Sequence, residues 1–281
     1  MPGGEALSGT LYLVATPIGN LEDISFRAVR VLKEADLIAC EDTRQTRKLL
    51  DHYGIAKPAI SYHEHNERER SLELAARLLA GCKVALVSDA GTPLVSDPGY
   101  RLVRAAIDNG IRVEAVPGPS ALLTALAVSG LPTDSFQFGG FLPAKSGQRR
   151  RILEAMRDAP LTLIFYEAPH RILETLAAVS EVLGDRPVVV ARELTKMHEE
   201  VLRGTADEVR AILTARETIR GEITLLIGRG TGPAEDDTPL AHAVQACVAQ
   251  GMPRMDAIKA VAQRRGLSKR EVYSELEKSK G

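Results

Sequence analysis

Short apolar runs alternate with amphipathic stretches from the start of the chain. Residues 11–15 (LYLVA), 37–40 (LIAC), 84–87 (VALV) and 113–116 (VEAV) are rich in strand formers and short enough to be β-strands. Between them Leu72, Ala75, Ala76 and Leu79 recur at helical spacing, as do Val29 and Leu32. Asp42 and Asn66 are placed to cap the helices that follow them. Strands alternating with helices predict a mostly parallel sheet, which must be covered on both faces.

A second series starts near Phe136. Strands are predicted over 161–166, 187–192 and 222–228, with helices over 151–157, 171–183 and 206–214. The apolar segment 118–131 is predicted to be helical and to join the two halves. Residues 231–237 are polar and aperiodic, which marks a linker. Beyond it lie three short helical patterns, 240–249, 255–262 and 269–277, the last opened by Ser268 and Glu271 at capping-box spacing. The expected architecture is α/β, with domains over 1–121 and 122–232 and a helical, helix-turn-helix-like extension over 233–281.

Composition narrows the function classes. A chain of 281 residues suits two domains and buries a core without disulfides or structural metals. Lys and Arg number 36 against 37 Asp and Glu, so any anionic partner must be met by a local patch. Trp is absent and aromatics are few, which argues against a base-stacking platform for single strands. Cys40, Cys82 and Cys247 show no CxxC spacing and read as reduced thiols of a cytosolic protein. The N-terminal residues have no basic region followed by an apolar run, and no stretch approaches the ~18–20 apolar residues of a membrane span. A soluble, cytoplasmic protein is expected.

Candidate chemistry sits in three strand-end loops. They are Ala15-Thr16-Pro17-Ile18-Gly19-Asn20, then Ser88-Asp89-Ala90-Gly91-Thr92-Pro93 continuing to Ser96-Asp97-Pro98-Gly99, and Pro117-Gly118-Pro119-Ser120-Ala121. One such loop is more often a plain turn, but three together at strand ends suit a ligand crevice, because open α/β sheets bind outside their carboxyl edges. Small residues admit a ligand to the backbone, a carboxylate such as Asp89 can bond ribose hydroxyls or an amino group, and a helix starting at Ser120 offers free N–H groups to an anion.

These loops, with Glu41-Asp42-Thr43-Arg44, Phe165-Tyr166-Glu167-Ala168-Pro169-His170-Arg171 and Gly221-Glu222-Ile223-Thr224, resemble the tetrapyrrole methylase superfamily. The likeness runs from about Thr10 to Gly228 and extends to the helical tail. It implies two α/β domains with S-adenosylmethionine in the cleft between them, and a homodimer. The porphyrin-modifying members have a glycine-rich first loop and a Gly-Asp-Pro, where this chain has Thr16-Pro17-Ile18 and Asp89-Ala90-Gly91-Thr92-Pro93. That difference favours the branch that 2′-O-methylates a cytidine of 16S ribosomal RNA in the small subunit. Carried over by position, the resemblance assigns Pro17, Ile18, Asp89, Thr92, Ser120 and Ala121 to cofactor contacts from the first domain. Tyr166, Leu194 and Thr224 stand where the second domain closes on the cofactor.

A ribose hydroxyl is a poor nucleophile at neutral pH, so a positioned base would help. Glu41, Asp42, Glu167, His170, Glu193 and Lys196 are candidates, and the sequence does not choose among them. Arg44 and Arg171 could hold phosphates. Lys145 with Arg149, Arg150 and Arg151 forms a basic cluster at a predicted helix start, where the dipole disfavours cations, so an anionic partner is one explanation and a solvated charge run the other. Arg254, Lys259, Arg264, Arg265, Lys269 and Arg270 add positive charge to the tail. His63 and His65 stand two apart but read as a solvated loop, and sulfonium methyl transfer requires no metal. Two other readings stay open: a methylase of a porphyrin-like molecule or a protein residue, and a non-catalytic RNA-binding factor.

Overall fold

A computed structural model describes residues 9–230, 239–249, 251–264 and 267–278. The chain divides into two compact units, Met1–Ala155 with Leu161–Gly228, and Met156–Pro160 with Arg229–Gly281.

The larger unit holds two five-stranded sheets. The first comprises β1 (Thr10–Val14), β2 (Leu37–Cys40), β3 (Ala59–Ser61), β4 (Val84–Val87) and β5 (Arg112–Val116), in the order β3-β2-β4-β1-β5. All of its pairings are parallel. Its helices are α1 (Phe26–Glu34), α2 (Thr43–His52), α3 (Glu67–Leu79) and α4 (Tyr100–Asp108). Every residue of β2 and β4 is buried, as expected of strands covered on both faces. Their side chains alternate between two cores. Ile38, Cys40, Ala85 and Val87 pack with α1 residues Val31 and Leu32. Leu37, Ala39, Val84 and Leu86 pack with Leu74 and Leu78 of α3 and Leu102 of α4.

The second sheet, for which the sequence carries no strand direction, is mixed. Its strands are β6 (Phe136–Phe141), β7 (Thr162–Glu167), β8 (Val188–Arg192), β9 (Glu200–Gly204) and β10 (Ile223–Ile227), in the order β6-β7-β10-β8-β9. Only β6 and β7 run parallel, and β10 lies antiparallel between β7 and β8. Around it are α5 (Ala121–Ser129), α6 (Ser146–Ala155), α7 (Ile172–Leu183) and α8 (Ala206–Thr214). Helix α5 follows the first sheet in sequence but packs on the second, where Leu122, Ala125 and Leu126 share a core with Ile164, Val189 and Leu226.

The face of α3 also differs from its sequence reading. Leu72 and Leu79 are 72% and 49% exposed, while Ser71, Leu74, Ala75 and Leu78 are buried. The two stripes are one residue apart, and Tyr62 selects between them. Its fully buried ring places the hydroxyl 3.0 Å from Ser71 Oγ and lets it donate to Glu67 Oε1 at 3.2 Å, which fixes the rotation of the helix. Asp42 caps α2 by accepting from Arg44 N at 2.8 Å. Asn66 makes no side-chain cap bond, because its Oδ1 accepts from His63 N instead.

The helical unit comprises α9 (Leu240–Ala249), α10 (Arg254–Arg264) and α11 (Lys269–Lys278) around Val244, Cys247, Ile258, Val261, Val272 and Leu276. Ser268 and Glu271 form a reciprocal capping box at 2.7 and 3.2 Å. The expected linker over 231–237, and Arg265 and Gly266 of the final turn, lie outside the described residues, as does the side chain of Arg264. Among the described residues no helix is long and apolar enough to cross a membrane.

Candidate active site

Strand order decides where the larger unit binds. From β1 the chain leaves toward β2, and from the adjacent β4 it leaves toward β5 on the other side. Neighbouring parallel strands that send their connections in opposite directions mark a switch point, and open α/β sheets bind ligands outside the carboxyl ends of the strands there. The first two loops lie there, tied by mutual backbone bonds between Thr16 and Gly91 at 2.9 and 3.0 Å. Thr16 Oγ1 donates to Ser88 O at 3.1 Å, and Thr92 Oγ1 donates to Pro119 O at 3.1 Å. Those bonds lock the three loops into one frame.

The frame borders a cavity of about 420 Å³, walled by Ile18, Asp89, Thr92, Ser120 and Ala121 from the first half of the unit. Tyr166, Leu194 and Thr224 close it from the second sheet. Eight of the nine residues expected to touch a cofactor thus meet around one space. Pro17 is buried but does not line it. The ring of Tyr166 is held edge-on by Phe138 and Phe141, with centroids 4.9 and 5.7 Å away. The wall is mainly apolar and carries a few convergent polar groups. The Asp89 carboxylate, the Thr92 hydroxyl and the start of α5, whose Ser120 makes no side-chain cap bond, suit a nucleoside bearing an anionic tail.

The six candidate bases separate by environment. Asp42 accepts from the backbone and side chain of Arg44, and those bonds hold its carboxyl down at about 2. Glu193 is lowered by its bond from Lys196. Burial pulls Lys196 down, but its bonds to Glu193 and Glu222 outweigh that and leave it raised, a cation at neutral pH. Glu167 lines the cavity, yet its oxygens are taken by Arg171, Thr175 and the Ala168 N–H. His170 is exposed and lies off the wall. Glu41 is pushed up by partial desolvation and by the charge of Asp89, although it too does not line the cavity.

Asp97 belongs to the second loop but was not among the candidate bases. It is half-buried on the cavity wall, and burial followed by the charge of Glu41 raises it to about 6. Two non-glycine residues with left-handed backbone, Leu94 (φ 71°) and Ser96 (φ 66°), turn the chain just before it. Strain of that kind persists where surrounding structure enforces it, often at binding sites.

The basic cluster is split. Arg149 is buried and pairs with Glu174 at 3.1 Å, so it is not presented to a phosphate here. Arg150 pairs with Glu181, Arg171 is committed to Glu167 and Leu142 O, and Arg44 is exposed while bonded to Asp42. Lys145 and Arg151 are exposed, with no ion pair among the described residues. In the helical unit Arg254, Lys259, Lys269 and Arg270 are exposed. His63 and His65 lie in the turn between β3 and α3, ring centroids 5.9 Å apart. Among the described residues no group of three or more His, Cys, Asp or Glu is placed to hold a metal.

Residues 10–210 match the family model of the Tetrapyrrole (Corrin/Porphyrin) Methylases. The chain belongs to this family. Within it, the Ribosomal RNA small subunit methyltransferase I of Halalkalibacterium halodurans is 53% identical over 274 residues, spanning 95% of this chain and 94% of that protein. The protein of the same name from Mesorhizobium japonicum is 49% identical over 271 residues, spanning 96% and 92%. Among solved structures, the uroporphyrin-III C-methyl transferase of Thermus thermophilus complexed with S-adenyl homocysteine superposes with a TM-score of 0.55 at 21% identity, over 78% of this chain and 97% of that one. That likeness confirms the two-sheet tetrapyrrole methylase fold.

Proposed function

We propose that this protein transfers a methyl group from S-adenosylmethionine to the 2′-hydroxyl of a cytidine in 16S ribosomal RNA, at the decoding centre of the small subunit. The observation that carries this reading is the cavity at the β1–β4 crevice, found in a chain 53% identical to a ribosomal RNA small subunit methyltransferase I. Bound there, the sulfonium cofactor supplies an electrophilic methyl. Asp89 bonds the ribose or amino groups of its nucleoside, and the start of α5 at Ser120 and Ala121 receives its carboxylate. Ile18, Thr92, Tyr166, Leu194 and Thr224 enclose the rest and exclude water. Orientation supplies much of the rate of an in-line displacement, which is what a wall built from two halves provides. The reading includes a cytoplasmic homodimer, and a boundary between the two α/β halves near residue 121, supported by α5 packing on the second sheet.

The deciding experiment offers labelled S-adenosylmethionine with small ribosomal subunits, free 16S RNA and porphyrin precursors in parallel. Label is expected in ribosomal RNA, recovered as 2′-O-methylcytidine on nucleoside digestion. Label in the porphyrin alone overturns the reading.

The RNA path is proposed to run over Lys145 and Arg151, with Arg44 and the tail cations binding phosphates further along. Because Arg149 is a buried ion-paired residue, substituting the whole cluster would confuse folding with binding. Lys145→Gln combined with Arg151→Gln is expected to reduce the slope of log affinity against log salt by roughly 1.4–1.8, at about 0.7–0.9 for each phosphate no longer neutralised. S-adenosylhomocysteine affinity should not change. An unaltered slope in a filter-binding titration assigns the two cations to bulk solvent.

A further inference from the structure

We propose that the carboxylate of Asp97 is the general base of this enzyme, taking the proton of the substrate hydroxyl as the methyl group is transferred. The inference rests on the methyltransferase reading above and deepens it.

Four carboxylates line the cavity: Asp89, Asp97, Glu167 and Glu222. Glu167 is fully engaged by Arg171, Thr175 and a backbone N–H. Glu222 is paired with Lys196. Asp89 Oδ1 accepts from Asp42 N at 2.9 Å. Asp97 has no cationic partner among the described residues, and the nearby Ser88 hydroxyl donates to Gly91 O at 3.2 Å. The Tyr166 phenol on β7 faces it, and Glu41 beyond the end of β2 and Asp89 in the loop after β4 place negative charge nearby. Partial burial and these neighbours raise it to about 6, so at neutral pH it is mostly ionised yet far more basic than an ordinary aspartate. The left-handed residues Leu94 and Ser96 turn the backbone immediately before it, so its place on the wall is built rather than incidental.

The step balances without a further reactant. The hydroxyl oxygen forms its bond to the methyl carbon as the sulfur–methyl bond breaks, and the sulfur keeps that electron pair. The hydroxyl proton passes to Asp97, which becomes a neutral acid and then returns the proton to solvent.

The test compares wild type with Asp97→Asn, a near-isosteric change, using three readouts. Single-turnover methylation of ribosomal subunits is expected to fall about 100-fold or more. S-adenosylhomocysteine affinity by calorimetry should stay within twofold. Where wild type is flat above pH about 6, the variant's residual rate should keep rising with pH, since solvent must take the proton. Stability supplies a readout independent of activity. A carboxyl whose folded pKa is raised costs stability once pH exceeds its unfolded value of about 4, fully so above about 6. Asp97→Asn should therefore raise the melting temperature at pH 8 and lose that advantage below pH 4. An active wild type with an Asn variant within threefold of it overturns the base assignment alone, as does a variant whose rate falls only in step with cofactor affinity. A wild type that labels no ribosomal RNA overturns the substrate reading, and the base assignment with it.

Discussion

Glu167→Ala is expected to be the most destabilising single change near the site, lowering the melting temperature by roughly 6–20 °C. The Glu167 side chain is 0% exposed, and Arg171, itself only 19% exposed, donates to it from Nε at 2.9 Å and from Nη2 at 2.5 Å. Thr175 Oγ1 donates at 2.6 Å and Ala168 N at 2.8 Å. Removing the acceptor strands a guanidinium, a hydroxyl and an amide in a buried turn. Breaking one side of a buried ion pair costs about 3–5 kcal/mol. In a body of this size each kcal/mol moves the midpoint by about 2–4 °C. Arg171→Met alone should also be costly, because it leaves a buried carboxylate without its cation. Glu167→Leu combined with Arg171→Met should recover most of the loss, since apolar replacement of both partners removes the desolvation penalty with the attraction. Thermal denaturation of the four proteins measures the coupling. Additive losses would mean that the pair is not the anchor of the β7–α7 turn.

In the first sheet β2 and β4 were legible because they are buried on both faces and read as short continuous apolar runs. The second was legible in its elements but not its direction. Nothing in the periodicity of residues 187–192 and 222–228 says whether the strands run together or opposed, and the polar strand β9, with only intermediate or exposed positions, gave no run to find. β3 is three residues long and only partly buried. The cavity wall was traceable because Gly and Pro cluster at strand ends whatever the ligand. Asp97 was not, since its position depends on left-handed turns at Leu94 and Ser96, residue types that carry no such signal. The burial of Arg149 did have a signal. Leu153 follows it by one helical turn and is fully buried, so the spacing already placed that arginine on the inward face of α6.

Gly221→Ala is expected to weaken S-adenosylhomocysteine binding roughly tenfold, the equivalent of about 1.4 kcal/mol. Gly221 lines the cavity with φ at +90°, where an added Cβ is strained on its own account. That Cβ would also fall 2.4 Å from Cγ and Cδ of Glu193. The glutamate cannot simply swing aside. Its Oε1 accepts from Glu222 N at 2.9 Å and Lys196 Nζ at 2.8 Å, and its own backbone is left-handed at φ 52°. Moving it loosens the turn after β8 and the start of β10 together, and these carry Leu194 and Thr224 to the wall. Gly54→Ala separates strain from collision. Gly54 has φ at +61° with nothing within 4 Å of an added Cβ, and it lies beyond α2, off the cavity wall. Both variants should melt a few degrees lower, but only Gly221→Ala should lose affinity in a calorimetric titration. Equal affinities for the two variants would show that the Glu193 network supports the fold without shaping the cavity.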